Sequence, residues 1–178
     1  ELKFNQEVLC KFLGSSATLI SADVIGRMSI VPPIYSKDGL DVFQQGEKGH
    51  IYACFVDTSA GVGGDYSAFT LLDVTQTPYK IVVKYRNSSI SPLIFPTIIT
   101  EVCRRYNNAH VLVEINKSDQ VAYILQAELE YENLAATVID GKKQVISSGF
   151  KKSTAFGVEM SKGVKRIGCS VLKGLVED

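Results

Sequence analysis

One segment constrains the fold more than any other. HVLVEIN, from His110 to Asn116, carries an acid inside a near-continuous apolar run. A run of that character suits a buried strand in the parallel part of a sheet. A carboxylate left unpaired there costs on the order of several kcal/mol, so Glu114 needs a partner or a metal ion. Both flanks read as helices. Upstream, Pro96 suits a first helical position, and Ile98, Ile99, Val102, Cys103 and Tyr106 share one face before Asn107-Asn108 ends the pattern. Downstream, Ser118 or Asp119 can cap a helix reaching about Glu130, with Val121, Ile124, Leu125 and Leu129 inward. ATVID then reads as a further strand.

Ahead of the first helix lie three short runs joined by polar loops: IYACFVD, SAFTLLDV and KIVVKYR. Their β-branched content and close spacing predict an antiparallel meander, with TQTP as one of its turns. Residues 1–48 read as a linker or hinge, because Pro32-Pro33 and the Gly/Lys/Asp-rich stretch from Ser36 to Gly49 disfavour long regular elements. The domain proper is expected at 49–178. Gly141 to Gly163 is rich in Gly, Lys and Ser and reads as loop, and VKRIGCSVLKGLVED reads as a last helix. The order β-β-β-α-β-α-β matches an α/β fold of the RNase H-like plan: a three-strand antiparallel meander, then parallel strands, with helices on both faces.

In that plan the first and fourth strands are neighbours, so Asp57 and Glu114 converge at one edge. Hard divalent cations take oxygen ligands of this kind. Converging acids at strand ends suit two-metal phosphodiester hydrolysis. Asp65 is a third candidate, because the chain leaves Asp57, turns through Gly61, Gly63 and Gly64, and returns at Asp65; the competing reading is a turn or capping aspartate. GVGGD lacks the GK[ST] ending of a phosphate loop. Asp73 reads as structural, and His50 and His110 as strand-boundary residues.

The net charge is zero, but it is unevenly spread: Asp140 to Gly174 holds eight Lys/Arg against two acids. Lys142, Lys143, Lys151, Lys152, Lys162, Lys165 and Arg166 suit sequence-independent phosphate contact, or simply a solvated loop. The four cysteines form no CxxC pair, which argues against structural zinc and for reduced, buried thiols. No apolar stretch reaches the length of a membrane span.

FLGSSATLIS, DTSAGVGGDYSAFTLLDVTQTPYK, YRNSSISPLIFP, YNNAHVLVEIN and LEYEN together resemble the large terminase subunit of myovirus-type tailed phages, along nearly the whole chain. The resemblance implies an RNase H-like nuclease domain that follows a packaging ATPase and cuts concatemeric double-stranded DNA with Mg²⁺ or Mn²⁺. It implies metal-binding roles for Asp57 and Glu114 and a nearby acid at Asp65. It implies the packaging ATPase domain in the same full-length chain, with the portal and small terminase subunit as partners and no membrane. The place of action would be the cytoplasm of the infected bacterium, at the procapsid portal. The family's third essential carboxylate, an aspartate on a late helix, has no counterpart here; Glu177 and Asp178 do not fit its motif, and the domain reads as truncated at its C-terminus. Two alternatives stand beside this reading: a catalytically incomplete DNA-binding or motor-docking fragment of the same fold, and another RNase H-like nuclease such as a resolvase.

Overall fold

The structure is a computed structural model that describes residues 18–61, 63–116, 118–140, 143–147 and 154–177. Lys142, Lys151 and Lys152 lie outside those residues. The chain divides into two compact units: Pro32–Met160, and a second made of Glu1–Val31 with Ser161–Asp178.

The second unit holds helix α1 (Ala22–Arg27). In the first unit a hairpin comes next, β1 (Tyr35–Lys37) and β2 (Leu40–Val42), and then the predicted meander of β3 (Tyr52–Asp57), β4 (Ser67–Asp73) and β5 (Lys80–Asn87). Helix α2 (Phe95–Arg105) leads to β6 (His110–Val113). Helix α3 opens as a short α-helical turn, Gln120–Tyr123, and continues with π-helical geometry over Ile124–Glu128. Strands β7 (Ala136–Asp140), β8 (Lys143–Ser147) and β9 (Thr154–Phe156) complete this unit. Helix α4 (Lys162–Glu177) belongs to the other unit, where the Lys173 ammonium donates to the Leu19 carbonyl at 3.3 Å.

The main sheet runs β1-β2-β5-β4-β3-β6, antiparallel throughout except that β3 and β6 are parallel. The meander and the parallel fourth strand are therefore as the sequence predicts. The hairpin β1–β2 is an addition, because the elements between Ser36 and Gly49 are short but still join the sheet. Its turn is Asp38-Gly39, with φ of 50° and 85°, the pairing that two-residue hairpin turns require. Gly39 also lies against β5, where a Cβ would stand 2.2 Å from the Arg86 carbonyl oxygen.

One face of the sheet holds the core. Tyr52, Cys54 and Val56 from β3, Phe69 and Leu71 from β4, Val82, Val83 and Tyr85 from β5, and Val111 and Val113 from β6 pack against Ile99, Val102 and Cys103 of α2 and Val121, Ala122 and Leu125 of α3. Phe69, Tyr85 and Phe95 stack on one another there. The sequence predicts helices on both faces; within this unit the two helices share one face. The burial patterns alternate along β3, and Phe55, on the opposite face, stays 48% exposed. HVLV alternates in the same way, so β6 is buried on one face rather than both.

The segment from Gly141 to Gly163, predicted as loop, contributes β8 and β9, which pair with β7 in a second sheet ordered β8-β7-β9. ATVID is a strand as predicted, but in this second sheet. KQVIS and TAF carry no period-two alternation, and their strand pairing is set by the tertiary fold. Cys54 and Cys103 are buried free thiols, whereas Cys169 on α4 is partly exposed, which corrects the reading of all four as buried; Cys10 lies outside the described residues.

The approach to β3 is tied down by polar contacts. His50 Nδ1 lies 2.6 Å from Asp73 Oδ2, and the backbone N–H and hydroxyl of Thr75 both donate to Asp73 Oδ1. Burial raises the Asp73 pKa, but the hydrogen bonds from Thr75 and His50 outweigh it and hold it below the ordinary 3.8. A depressed folded pKa contributes stability above the unfolded value and loses it as pH falls through the folded one. We expect Asp73→Asn to cost about 1–3 kcal/mol at neutral pH. The gap in melting temperature between the two proteins should close as pH falls below about 4; a gap constant from pH 7 to 3 would refute this.

Candidate metal and nucleic-acid site

Asp57 ends β3, and Glu114 follows the last residue of β6. Their strands are registered in parallel through Val56–Val113, and the Glu114 N–H donates to the Val56 carbonyl at 2.9 Å. Side chains of laterally paired residues point to the same face. Asp57 therefore follows Phe55, and Glu114 follows Leu112, onto the face opposite the helices. Asp57 is exposed and Glu114 half-buried. Among the described residues neither carboxylate makes a hydrogen bond or an ion pair. Two acids thus sit on adjacent strand ends with no described residue paired to either.

Three contacts hold this edge. The Thr58 hydroxyl donates to the Glu114 carbonyl at 3.4 Å. On the far side of β6, residues Gly157 and Val158 run alongside. The Val158 N–H donates to the Val113 carbonyl at 2.8 Å, and the Ile115 N–H to the Val158 carbonyl at 3.0 Å, so Glu114 is bracketed between β3 and this segment. The sequence reading missed the bracket. Its only trace is the apolar alternation in TAFGVEM, hidden within a lysine-rich stretch.

The glycine loop folds back as expected. Ser59 is buried, and its hydroxyl contacts the Ser67 hydroxyl and the Asp65 carbonyl, each at 3.1 Å. The Gly63 N–H reaches the Ser88 carbonyl at 2.9 Å. Asp65 is exposed, and its carboxylate accepts from the Tyr66 N–H at 2.9 Å, the turn-capping contact weighed against a metal role. Among the described residues no group of three His, Cys, Asp or Glu side chains is placed to hold a metal ion together. The structure thus brings Asp57 and Glu114 together and leaves Asp65 in a local turn.

His50 is more than a strand boundary, given its Asp73 contact, whereas His110 opens β6 and is exposed. Of the basic candidates, Lys143 opens β8, with its side chain outside the described residues. Lys162, Lys165 and Arg166 are exposed on α4, in the other unit. No helix among the described residues is long and apolar enough to cross a membrane.

A sequence family described as the Terminase RNaseH-like domain matches residues 54–178. The fold is similar to that of the large terminase nuclease from thermophilic phage G20c with bound magnesium, at TM-score 0.66 and 17% identity, covering 92% of this chain and 72% of that one. It is similar to the same nuclease with bound cobalt, at TM-score 0.58 and 19% identity over 83% and 65% of the two chains. The large terminase nuclease domain of Thermus phage P74-26 matches at TM-score 0.53 and 16% identity, over 83% and 65%. The chain spans about two thirds of the length of the solved nuclease domains it matches, 66% for the first of them.

Proposed function

Because the chain belongs to the Terminase RNaseH-like domain family, we propose that it is the divalent-metal-dependent endonuclease domain of a phage large terminase subunit, cutting concatemeric double-stranded DNA during genome packaging. The observation that carries this reading is the pair of carboxylates, Asp57 and Glu114, side by side on parallel strands with no partner among the described residues. That donor set fits a hard divalent cation, with Mg²⁺ or Mn²⁺ the proposed ions. Solved relatives with magnesium, cobalt and zinc bound support metal use. When bound, such ions supply Lewis-acid stabilisation of the charge that builds on the cleaved phosphodiester.

The protein's own part is to hold and orient. Asp57 and Glu114 would be the ligands. Thr58 and the Gly157–Val158 segment fix the backbone on either side of Glu114. Asp65 is a further acid at the far end of the loop that leaves Asp57. Lys142, Lys143, Lys151, Lys152, Lys165 and Arg166 would make phosphate contacts that do not depend on sequence. Partners in this reading are double-stranded DNA, a packaging ATPase domain in the same full-length chain, the portal and the small terminase subunit. The place of action is the cytoplasm of the infected bacterium, at the procapsid portal.

Nicking of supercoiled plasmid in Mn²⁺ or Mg²⁺ tests the function. Cleavage that stops on adding a chelator supports it, and a wild-type rate that a chelator leaves unchanged returns the chain to a DNA-binding or docking role. For the basic segment, Lys151→Ala/Lys152→Ala is expected to lower the slope of log affinity against log salt by about 2. An unchanged slope would assign those lysines to solvent.

A further inference from the structure

The face that carries Asp57 and Glu114 also carries a second organised feature. Along the sheet, Asp57 pairs with Ala68 on β4, and Ala68 pairs with Arg86 on β5. Glu114, Asp57, Ala68 and Arg86 therefore form one lateral row on the face opposite the helices. Ala68, between the acids and the arginine in this row, carries only a methyl side chain. The guanidinium carbon of Arg86 sits 3.9 Å from the centre of the Tyr66 ring, and both side chains are exposed. Among the described residues Arg86 makes no ion pair. An exposed arginine is thus steadied by an aromatic face rather than by a carboxylate, which leaves its charge and its N–H edges unspent.

Two residues along β5, on the same face, Lys84 lies over the Phe43 ring at 4.9 Å. Asp41 is its cross-strand neighbour, and the Asp41 carboxylate accepts from the Ser36 hydroxyl at 2.7 Å. Of the two, Arg86 is the one in the row of Asp57. Adjacent strands are about 4.8 Å apart, so the Arg86 backbone stands roughly 10 Å from that of Asp57. An extended arginine side chain is long enough to cover much of that distance. The occupant that matches a fixed planar cation one or two nucleotide steps from paired metal-binding acids is a backbone phosphate, which Arg binds bidentately.

We propose that Arg86, held by Tyr66, is a positioning residue that binds a phosphate of the DNA strand being cut, one or two nucleotides from the scissile bond. The proposal rests on the nuclease reading above. The experiment measures affinity for a short fluorescent duplex against salt in the presence of a chelator, and plasmid nicking in Mn²⁺ in parallel. Arg86→Ala and Arg86→Gln are expected to weaken duplex binding about fivefold or more and to lower the log–log salt slope by about 1. Arg86→Lys should restore the slope while recovering only part of the affinity, since an ammonium cannot bind two oxygens in a plane. Melting temperatures should stay at the wild-type value, because both side chains are exposed. In nicking, the loss should appear in KM more than in kcat. An unchanged salt slope and affinity within twofold for both neutral variants would overturn the proposal, even if nicking persists. Wild-type protein that binds DNA with this Arg86 dependence but never nicks would overturn the nuclease reading and leave the phosphate site standing.

Discussion

Asp57→Ala is expected to reduce metal-dependent plasmid nicking by about 10²–10³-fold or more, the scale lost when one preorganised charge-stabilising group is removed from a phosphodiester or acyl-transfer site. Glu114→Gln should do the same, since an amide keeps the shape but not the charge that draws a divalent cation. Neither change should unfold the protein. Asp57 is exposed, and neither side chain pairs with another described residue, so no buried partner is orphaned. Melting in chelator should therefore hold steady. Mn²⁺ should raise the melting temperature of the wild type and fail to raise that of either variant. Cleavage at the wild-type rate in Asp57→Ala would end the assignment of this edge as the metal site.

Gly157→Ala is expected to be strongly destabilising, costing about 2–4 kcal/mol. Gly157 adopts φ +104°, and a Cβ there would lie 2.6 Å from both the Val113 carbonyl oxygen and Ile115 Cγ2. The first of these atoms is β6 backbone and cannot swing away. The same residue donates its N–H to the Ala135 carbonyl at 2.9 Å and accepts from the buried Thr137 hydroxyl at 2.7 Å. A shift of this segment would loosen the bracket around Glu114. For a domain of this size the cost corresponds to a fall in melting temperature of roughly 4–16 °C, and nicking should fall even where the variant remains folded. Gly157→Ala that melts within 1–2 °C of wild type would show that the segment gives way easily.

Much of the fold was legible because its periodicities are local. The meander, α2 with its Pro96 start, and the inward set Val121, Ile124 and Leu125 of α3 follow from side-chain spacing alone. The N-cap of α3 is Asp119, one of the two residues expected there, but it makes no side-chain capping bond; the Ser118 hydroxyl just before it accepts from the Gln120 N–H at 3.1 Å. The hairpin β1–β2 was legible in principle from Asp38-Gly39, but three-residue strands carry too little alternation to stand out against a Pro/Gly-rich background. Strands β8 and β9 were obscured for a related reason. The lysines among them dominate the composition, while the pairing that makes them strands depends on β7, whose role in a second sheet no local pattern announces.

Asp57 and Glu114 were recognisable as strand-end acids, one closing an apolar run and one embedded in another. Their residue types and strand positions belong to the sequence. Their adjacency was decided by the parallel pairing of β3 with β6, a contact between segments more than fifty residues apart. The open face they share was decided by where α2 and α3 pack. So was the alignment of Arg86 with Asp57 across Ala68, which requires the registers of two strand pairs at once. Period-two alternation tells which side chains share a face of one strand. Only the hydrogen-bonded register between strands tells which residues of different strands stand in the same row.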